Sequence, residues 1–140
     1  MKFKVLIVAG NYYKKITDTL IFSSKKKLKN NLNIKYKSKV MKFQTKVIEV
    51  PGSFEIPVII SKNIKKYDAF VALGCIIKGQ TPHFDFISQS INNALMDLSI
   101  NSKKPVGNGI ITCLNKKQAT KRSSKKGYEA ANAVISVLSK

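Results

Sequence analysis

Residues 68–77 read DAFVALGCII. After the acid at Asp68, the stretch is an unbroken run of apolar and small residues, and turn-forming chemistry (KGQTP, 78–82) closes it. A short apolar run of this kind is the pattern of a strand covered on both faces, which occurs in parallel sheets with helices above and below. FKVLIVAG (3–10) repeats the pattern and ends in Gly10, and KPVGNGIITCL (104–114) gives another strand. IKYKSKVMKFQTKVIEV (34–50) alternates and reads as extended structure running into a turn at PGSFE (51–55).

Helical patterns lie between these strands. ITDTLIFSSKKKLKNNL (16–32) spaces Ile16, Leu20, Phe22 and Leu28 loosely as a helix and stops at Asn30 and Asn31. FEIPVIISKNIKK (54–66) is a helix with Pro57 near its start, where proline is tolerated. PHFDFISQSINNALMDLSI (82–100) puts Phe84, Ile87, Ile91, Ala94, Leu95 and Leu98 on one face. The last segment, 115–140, reads as helix, a break at Gly127, then a helix with Val134, Ile135 and Leu138 inward. Strand and helix alternate four times, so the chain is expected to form one α/β domain over residues 1–140, with a parallel sheet between helix layers.

At 140 residues and 44% hydrophobic, the chain can bury a core. The net charge is +19, from 25 lysines and the single arginine Arg122 set against seven acids. Lysines run through most of the chain, and arginine, whose planar fork suits phosphates and bases, is almost absent. That pattern resembles compositional drift more than a nucleic-acid surface, and nucleic acid is not the expected partner. Cys75 and Cys113 sit far apart in apolar runs with no CxxC and no His/Cys cluster. They read as buried reduced thiols in a cytoplasmic protein, with no metal expected. The apolar run of MKFKVLIVAG is too short for a signal peptide, and no segment reads as a membrane span.

Ligands of parallel α/β sheets collect at the carboxyl ends of the strands. The stretches there are GNYY (10–13), PGSFE (51–55) and IIKGQTPH (76–83), with GNGIIT (107–112) within its strand or at an end. His83 is the only histidine. With Thr81 as N-cap and Pro82 at the first helical position, it falls in a helix's first turn, where free N–H groups and the dipole favour an anion. The same positive end disfavours a cationic ring and leaves it able to accept a proton. Taken alone, local sequence favours a surface or capping histidine. PGSFE likewise reads either as a plain turn with Phe54 in the core or as a binding segment contributing Glu55.

Taken jointly, VPGSFEIP, LGCIIKGQTPHFDFIS, PVGNGIIT and NKKQATKRSSKKGYEAANA resemble, in order and spacing, the corresponding segments of the lumazine synthase family over nearly the whole chain. The resemblance implies a flavodoxin-like three-layer sandwich with a four-stranded parallel sheet. It implies the penultimate step of riboflavin biosynthesis, in which 5-amino-6-ribitylaminouracil and 3,4-dihydroxy-2-butanone 4-phosphate give 6,7-dimethyl-8-ribityllumazine, phosphate and water, without cofactor or metal. It also implies a homo-oligomer, a pentamer or a 60-subunit shell of pentamers, with sites between adjacent subunits. By matching position, Tyr12 would stack on the pyrimidine. Ser53, Phe54 and Glu55 would bind the ring and ribityl chain, and Ile76, Ile77 and Lys78 would flank the ring. Gln80 and Thr81 would take the phosphate, and His83 would transfer protons. From the neighbouring subunit would come Asn108, the phosphate-binding Arg122, and Lys126, with Lys125 as the alternative. Competing readings are an archaeal-type riboflavin synthase and a non-catalytic basic shell or RNA-binding protein on the same fold.

Overall fold

A computed structural model describes residues 1–30, 35–80 and 82–140. Strands β1 (Lys2–Gly10), β4 (Lys42–Val50), β5 (Ala69–Ile77) and β6 (Val106–Cys113) form one parallel sheet in the order β4-β1-β5-β6. Helices α1 (Lys14–Lys29), α2 (Ile56–Lys62), α3 (His83–Ser102) and α4 (Lys116–Leu138) connect or follow the strands.

The apolar runs explain the layering. Side chains alternate between the faces of a strand. Val5, Ile7 and Ala9 of β1, with Val71, Leu73 and Cys75 of β5, pack under α1 and α4. Leu6, Val8, Phe70 and Ala72 pack on the other face with Ile56 and Ile60 of α2 and Ile91 and Leu95 of α3. The chain runs from β1 to β4 in one direction, then crosses back over β1 to reach β5. Right-handed crossovers in opposite directions put their helices on opposite faces. The reversal leaves a crevice at the carboxyl ends of β1 and β5, where ligands bind in open α/β sheets.

Several details depart from the sequence reading. The extended segment divides into a small antiparallel hairpin, β2 (Lys35–Tyr36) and β3 (Lys39–Val40), followed by β4. Its turn places Lys37 (φ 51°) and Ser38 (φ 65°) in the left-handed region without glycine or asparagine to announce it. Gly127 is no break, because α4 continues through it. An alanine Cβ at 127 would strike Ser23 Oγ and come within 2.5 Å of the Leu20 carbonyl oxygen. The glycine therefore lets α1 and α4 approach closely, and Ser24 Oγ donates to the Gly127 carbonyl at 2.7 Å across that contact. Asn30 ends α1, its N–H donating to the Lys26 carbonyl. The expected roles of Asn31 and Thr81 fall outside the described residues. α3 begins at His83 with Pro82 at the cap position, one residue later than expected.

Candidate active site

Three loops meet at the carboxyl crevice. The β1–α1 turn is fixed from two sides: Asn11 N–H donates to the Val50 carbonyl (2.9 Å), and the buried Thr17 Oγ1 donates to the Gly10 carbonyl (2.6 Å). Gly10 lies so close to the next loop that a Cβ would be 2.7 Å from the Gly52 carbonyl carbon and 2.8 Å from Ser53 N. Any larger residue would push PGSFE off the sheet. Ser53 opens a 3-10 turn (Ser53–Glu55) and is buried, with its hydroxyl where a Cβ on Gly74 of β5 would lie. This turn thus sits over the β1/β5 switch point, and it also contacts α2 and α3.

Around this seat the side chains divide by exposure. Phe54 is 64% exposed and Tyr12 77% exposed. The reading of Phe54 as a core residue is therefore wrong: burial of Ser53 and Ile56 on either side turns the intervening ring outward. Glu55 is half-buried in the same turn. Tyr12 stands edge-on to Tyr13 (centroids 4.9 Å apart), and Tyr13 packs against the core. Burial, with Cys75 and Tyr12 nearby, pushes the Tyr13 phenol upward, so it stays neutral. Ile76 and Ile77 end β5 half-buried, one toward each helix layer. Lys78 N–H donates to the Cys113 carbonyl at 2.9 Å, carrying the β5/β6 ladder one residue further. Lys78, Gln80 and His83 are exposed along the loop leading into α3. The amide N–H groups of that helix's first turn and His83 lie at one place, an arrangement suited to an anion beside a proton-transfer group.

The remaining expected residues lie elsewhere on the chain. Arg122, Lys125 and Lys126 line a groove of about 610 Å³ between α4 and the outer edge of β6, with Ile110, Thr112 and Gln118. None of the Tyr12-to-His83 group lines it. The start of α4 is locked by a reciprocal cap: Asn115 Oδ1 accepts from Gln118 N–H, and Gln118 Oε1 accepts from Leu114 N–H, each at 2.9 Å. That cap fixes the first turn of α4, and Arg122 lies one turn further along the helix. Lys125 pairs with Glu129 at 3.9 Å, whereas Lys126 is half-buried in the groove wall. Asn108 is inside β6, opposite Ala72, and donates to Asn92 Oδ1 at 2.9 Å. GNGIIT is thus part of a strand, and Asn108 stays apart from the carboxyl crevice. Sequence reading passed over Gln118 and Lys121; the Asn-x-x-Gln spacing was the available signal for the first.

Cys75 and Cys113 are buried free thiols beside Tyr13. Burial, with Cys113 next to it, pushes the Cys75 thiol up to about 12, which keeps it protonated and unreactive. Among the described residues no group of three or more His, Cys, Asp or Glu is placed to hold a metal, and no helix is long and apolar enough to cross a membrane.

The fold and crevice define a doubly wound parallel α/β protein whose switch-point loops present an aromatic ring, a carboxylate, a helix N-terminus and a histidine. The family model described as 6,7-dimethyl-8-ribityllumazine synthase matches residues 2–140, and the chain belongs to that family. Relatives bearing that name include proteins from Cutibacterium acnes (45% identical, covering 66% of this chain and 59% of the relative) and Bartonella tribocorum (38%, covering 96% and 87%). A Streptomyces coelicolor protein of the same name is 34% identical over 94% of this chain and 81% of its own length. The chain spans about three fifths of the length of the Cutibacterium acnes and Thermobifida fusca relatives (59% and 58%).

Proposed function

We propose that the chain condenses 5-amino-6-ribitylaminouracil with 3,4-dihydroxy-2-butanone 4-phosphate to form 6,7-dimethyl-8-ribityllumazine, releasing phosphate and water. The observation that supports this reading is the seating of the Ser53–Glu55 turn against Gly10 and Gly74 at the ends of β1 and β5, with Tyr12, Ile76–Lys78 and His83 following those strand ends along the chain, in a chain of this family. Tyr12 and the Ile76–Ile77 end offer apolar faces for the pyrimidine. Ser53, Phe54 and Glu55 hold the ring and the ribityl hydroxyls through backbone and carboxylate groups, while Lys78 borders the ring. The α3 N-terminus, with Gln80 and Thr81, receives the phosphate.

The chemistry asks for little beyond placement. An amine adds to a ketone and loses water as an imine, phosphate then leaves by elimination to give a new carbonyl, and the second amine closes the ring on that carbonyl with loss of a second water. Holding both reactants in register supplies effective concentrations of about 10⁵ M or more in favourable cases. His83, in its position at the phosphate end, shuttles protons for these steps, a contribution of about 10²–10⁴-fold.

Arg122 and Lys126 belong to the same site through a second copy of the chain. In one chain their groove opens on the β6 edge, away from the His83 crevice, so juxtaposed copies complete one another's sites. Arg122 clamps the phosphate through its two-pronged guanidinium, and Asn108 joins from the same neighbour. The assembly is a homo-oligomer, a pentamer or a shell of pentamers, in the cytoplasm. α3 is the face suited to it, since Phe86, Met96 and Ile100 are exposed and the helix carries no lysine. The test is lumazine absorbance on mixing both substrates with purified protein, against a protein-free control, together with light scattering for the oligomer. Absence of acceleration from a folded oligomer would overturn the assignment.

A further inference from the structure

Lysines that look scattered along the sequence are sorted by the fold. α1 carries Lys14, Lys15, Lys25, Lys26, Lys27 and Lys29 against one acid, Asp18. α4, packed beside it, carries Lys116, Lys117, Lys121, Arg122, Lys125 and Lys126 against Glu129. α3, in the opposite layer, has neither lysine nor arginine in 20 residues and contains Asp85 and Asp97. Among the helices, lysine is therefore concentrated on α1 and α4.

That layer also exposes aromatic rings. Phe22 on α1 (69% exposed) and Tyr128 on α4 (48% exposed) line a groove of about 340 Å³ between the two helices. Lys26, Lys27, Asn30 and Ser124 line it with them, and Lys27 Nζ stands 4.9 Å from the Tyr128 ring centroid. The groove shares no residue with the Arg122 groove on the other flank of α4.

We propose that the α1/α4 face binds single-stranded nucleic acid without sequence preference, its lysines tracking the phosphates and Phe22 and Tyr128 stacking on bases. Flat rings set among ammonium groups, with an amide and a hydroxyl between them, are what unpaired bases on a phosphate backbone require. A duplex keeps its bases stacked on one another and offers the rings nothing. Lysine contacts a phosphate backbone as a point charge, which gives affinity without reading base edges. The lysine cleft at the sheet's other end (Lys4, Lys46, Lys65, Lys66) has charge but only the half-buried Tyr67 for a ring, and it serves as the internal control.

Fluorescence anisotropy with a labelled oligouridylate of about 20 nucleotides, titrated over a salt series, tests this on the intact oligomer. Affinity should fall with salt, and Lys26→Glu/Lys27→Glu should weaken binding at least about tenfold. It should also flatten the log K against log salt slope by about 1.4, since each single-strand phosphate contact contributes about 0.7. Phe22→Ala/Tyr128→Ala should weaken binding about tenfold or more while leaving that slope unchanged. Phe22→Tyr/Tyr128→Phe should restore affinity, and lumazine formation should be unchanged in both aromatic pairs. Lys65→Glu/Lys66→Glu should stay within about twofold of wild type, and heparin binding should ignore the aromatic changes. No oligouridylate binding at low salt would overturn the proposal. An equal loss from Lys65→Glu/Lys66→Glu, or tight binding to anionic phosphatidylserine vesicles with no response to the aromatic variants, would also overturn it.

Discussion

Gly127→Ala should destabilise the protein although it replaces glycine with the best helix former in mid-helix. An isolated helix would gain about 1 kcal/mol from the change. Here the new Cβ meets Ser23 Oγ and lies 2.5 Å from the Leu20 carbonyl oxygen and 3.2 Å from its carbon. Ser23 can swing aside at the cost of its hydrogen bond to the Leu20 carbonyl, but the Leu20 backbone belongs to α1 and moves only if the helix moves. Reaching the 3.0 Å that real Cβ contacts respect requires about half an ångström of separation. That strains the 2.7 Å bond from Ser24 to the Gly127 carbonyl and loosens Leu20 and Ala130, which are buried beneath. Overpacking of this kind costs about 1–3 kcal/mol, and a weakened buried hydrogen bond adds about 0.5–1.5 kcal/mol. Net of the helix gain, the expected loss is about 0.5–3.5 kcal/mol. In urea unfolding this reads as a midpoint about 1 M lower at unchanged slope. Gly79→Ala is the matched control: a Cβ there has nothing within 4 Å and no positive φ to fight, so it should be neutral or stabilise by up to about 1 kcal/mol. A rise in the Gly127→Ala midpoint would refute the close approach of α1 and α4.

Arg122→Lys should raise KM for the butanone phosphate about tenfold or more while changing kcat less, as expected when a bidentate clamp becomes a point charge; initial-rate kinetics separate the two. The raised Cys75 thiol, at about 12 when folded against an ordinary value of 9.0, makes its stability contribution complete below pH 9. Above that the unfolded thiol ionises first, so the contribution is lost as pH rises toward 12; urea midpoints at pH 8 and pH 10.5 should converge in Cys75→Ala relative to wild type. Lys37→Asn/Ser38→Gly suits the left-handed turn at both positions and should raise thermal stability by about 1 kcal/mol or more, seen as a higher Tm.

The sheet was legible because both faces of its strands are covered. Val5 to Ala9 and Ala69 to Leu73 are fully buried, and only uninterrupted apolar runs satisfy that. The α3 stripe was legible because one face of the helix, with Ile91 and Leu95, is buried against the sheet at helical period. What escaped depended on partners distant in sequence. Gly127 looks like a break by propensity, and only the α1 backbone across from it explains the glycine. Phe54 has a hydrophobic residue's ordinary claim on the core, and its exposure follows from Ser53 seating against Gly74. The Lys37–Ser38 turn uses residues that carry no turn signature. Residues of the crevice were legible as loops after strand ends, whereas the separation of Arg122 from His83 follows from α4 lying along the β6 edge. Charge sorting was hidden because lysine frequency along a chain says nothing about which helices share a layer.

The central claim is that His83 and Arg122 serve one reaction from two copies of the chain. Complementation tests it directly. His83→Ala and Arg122→Ala should each form lumazine slowly alone, the first by a loss of about 10²–10⁴-fold in kcat. Dissociated, mixed and reassembled, the two variants should regain a fraction of wild-type activity, because some interfaces then pair an intact His83 with an intact Arg122. Activity of the reassembled mixture no higher than the sum of the separate variants, with mixed oligomers demonstrated by mass spectrometry, would contradict it.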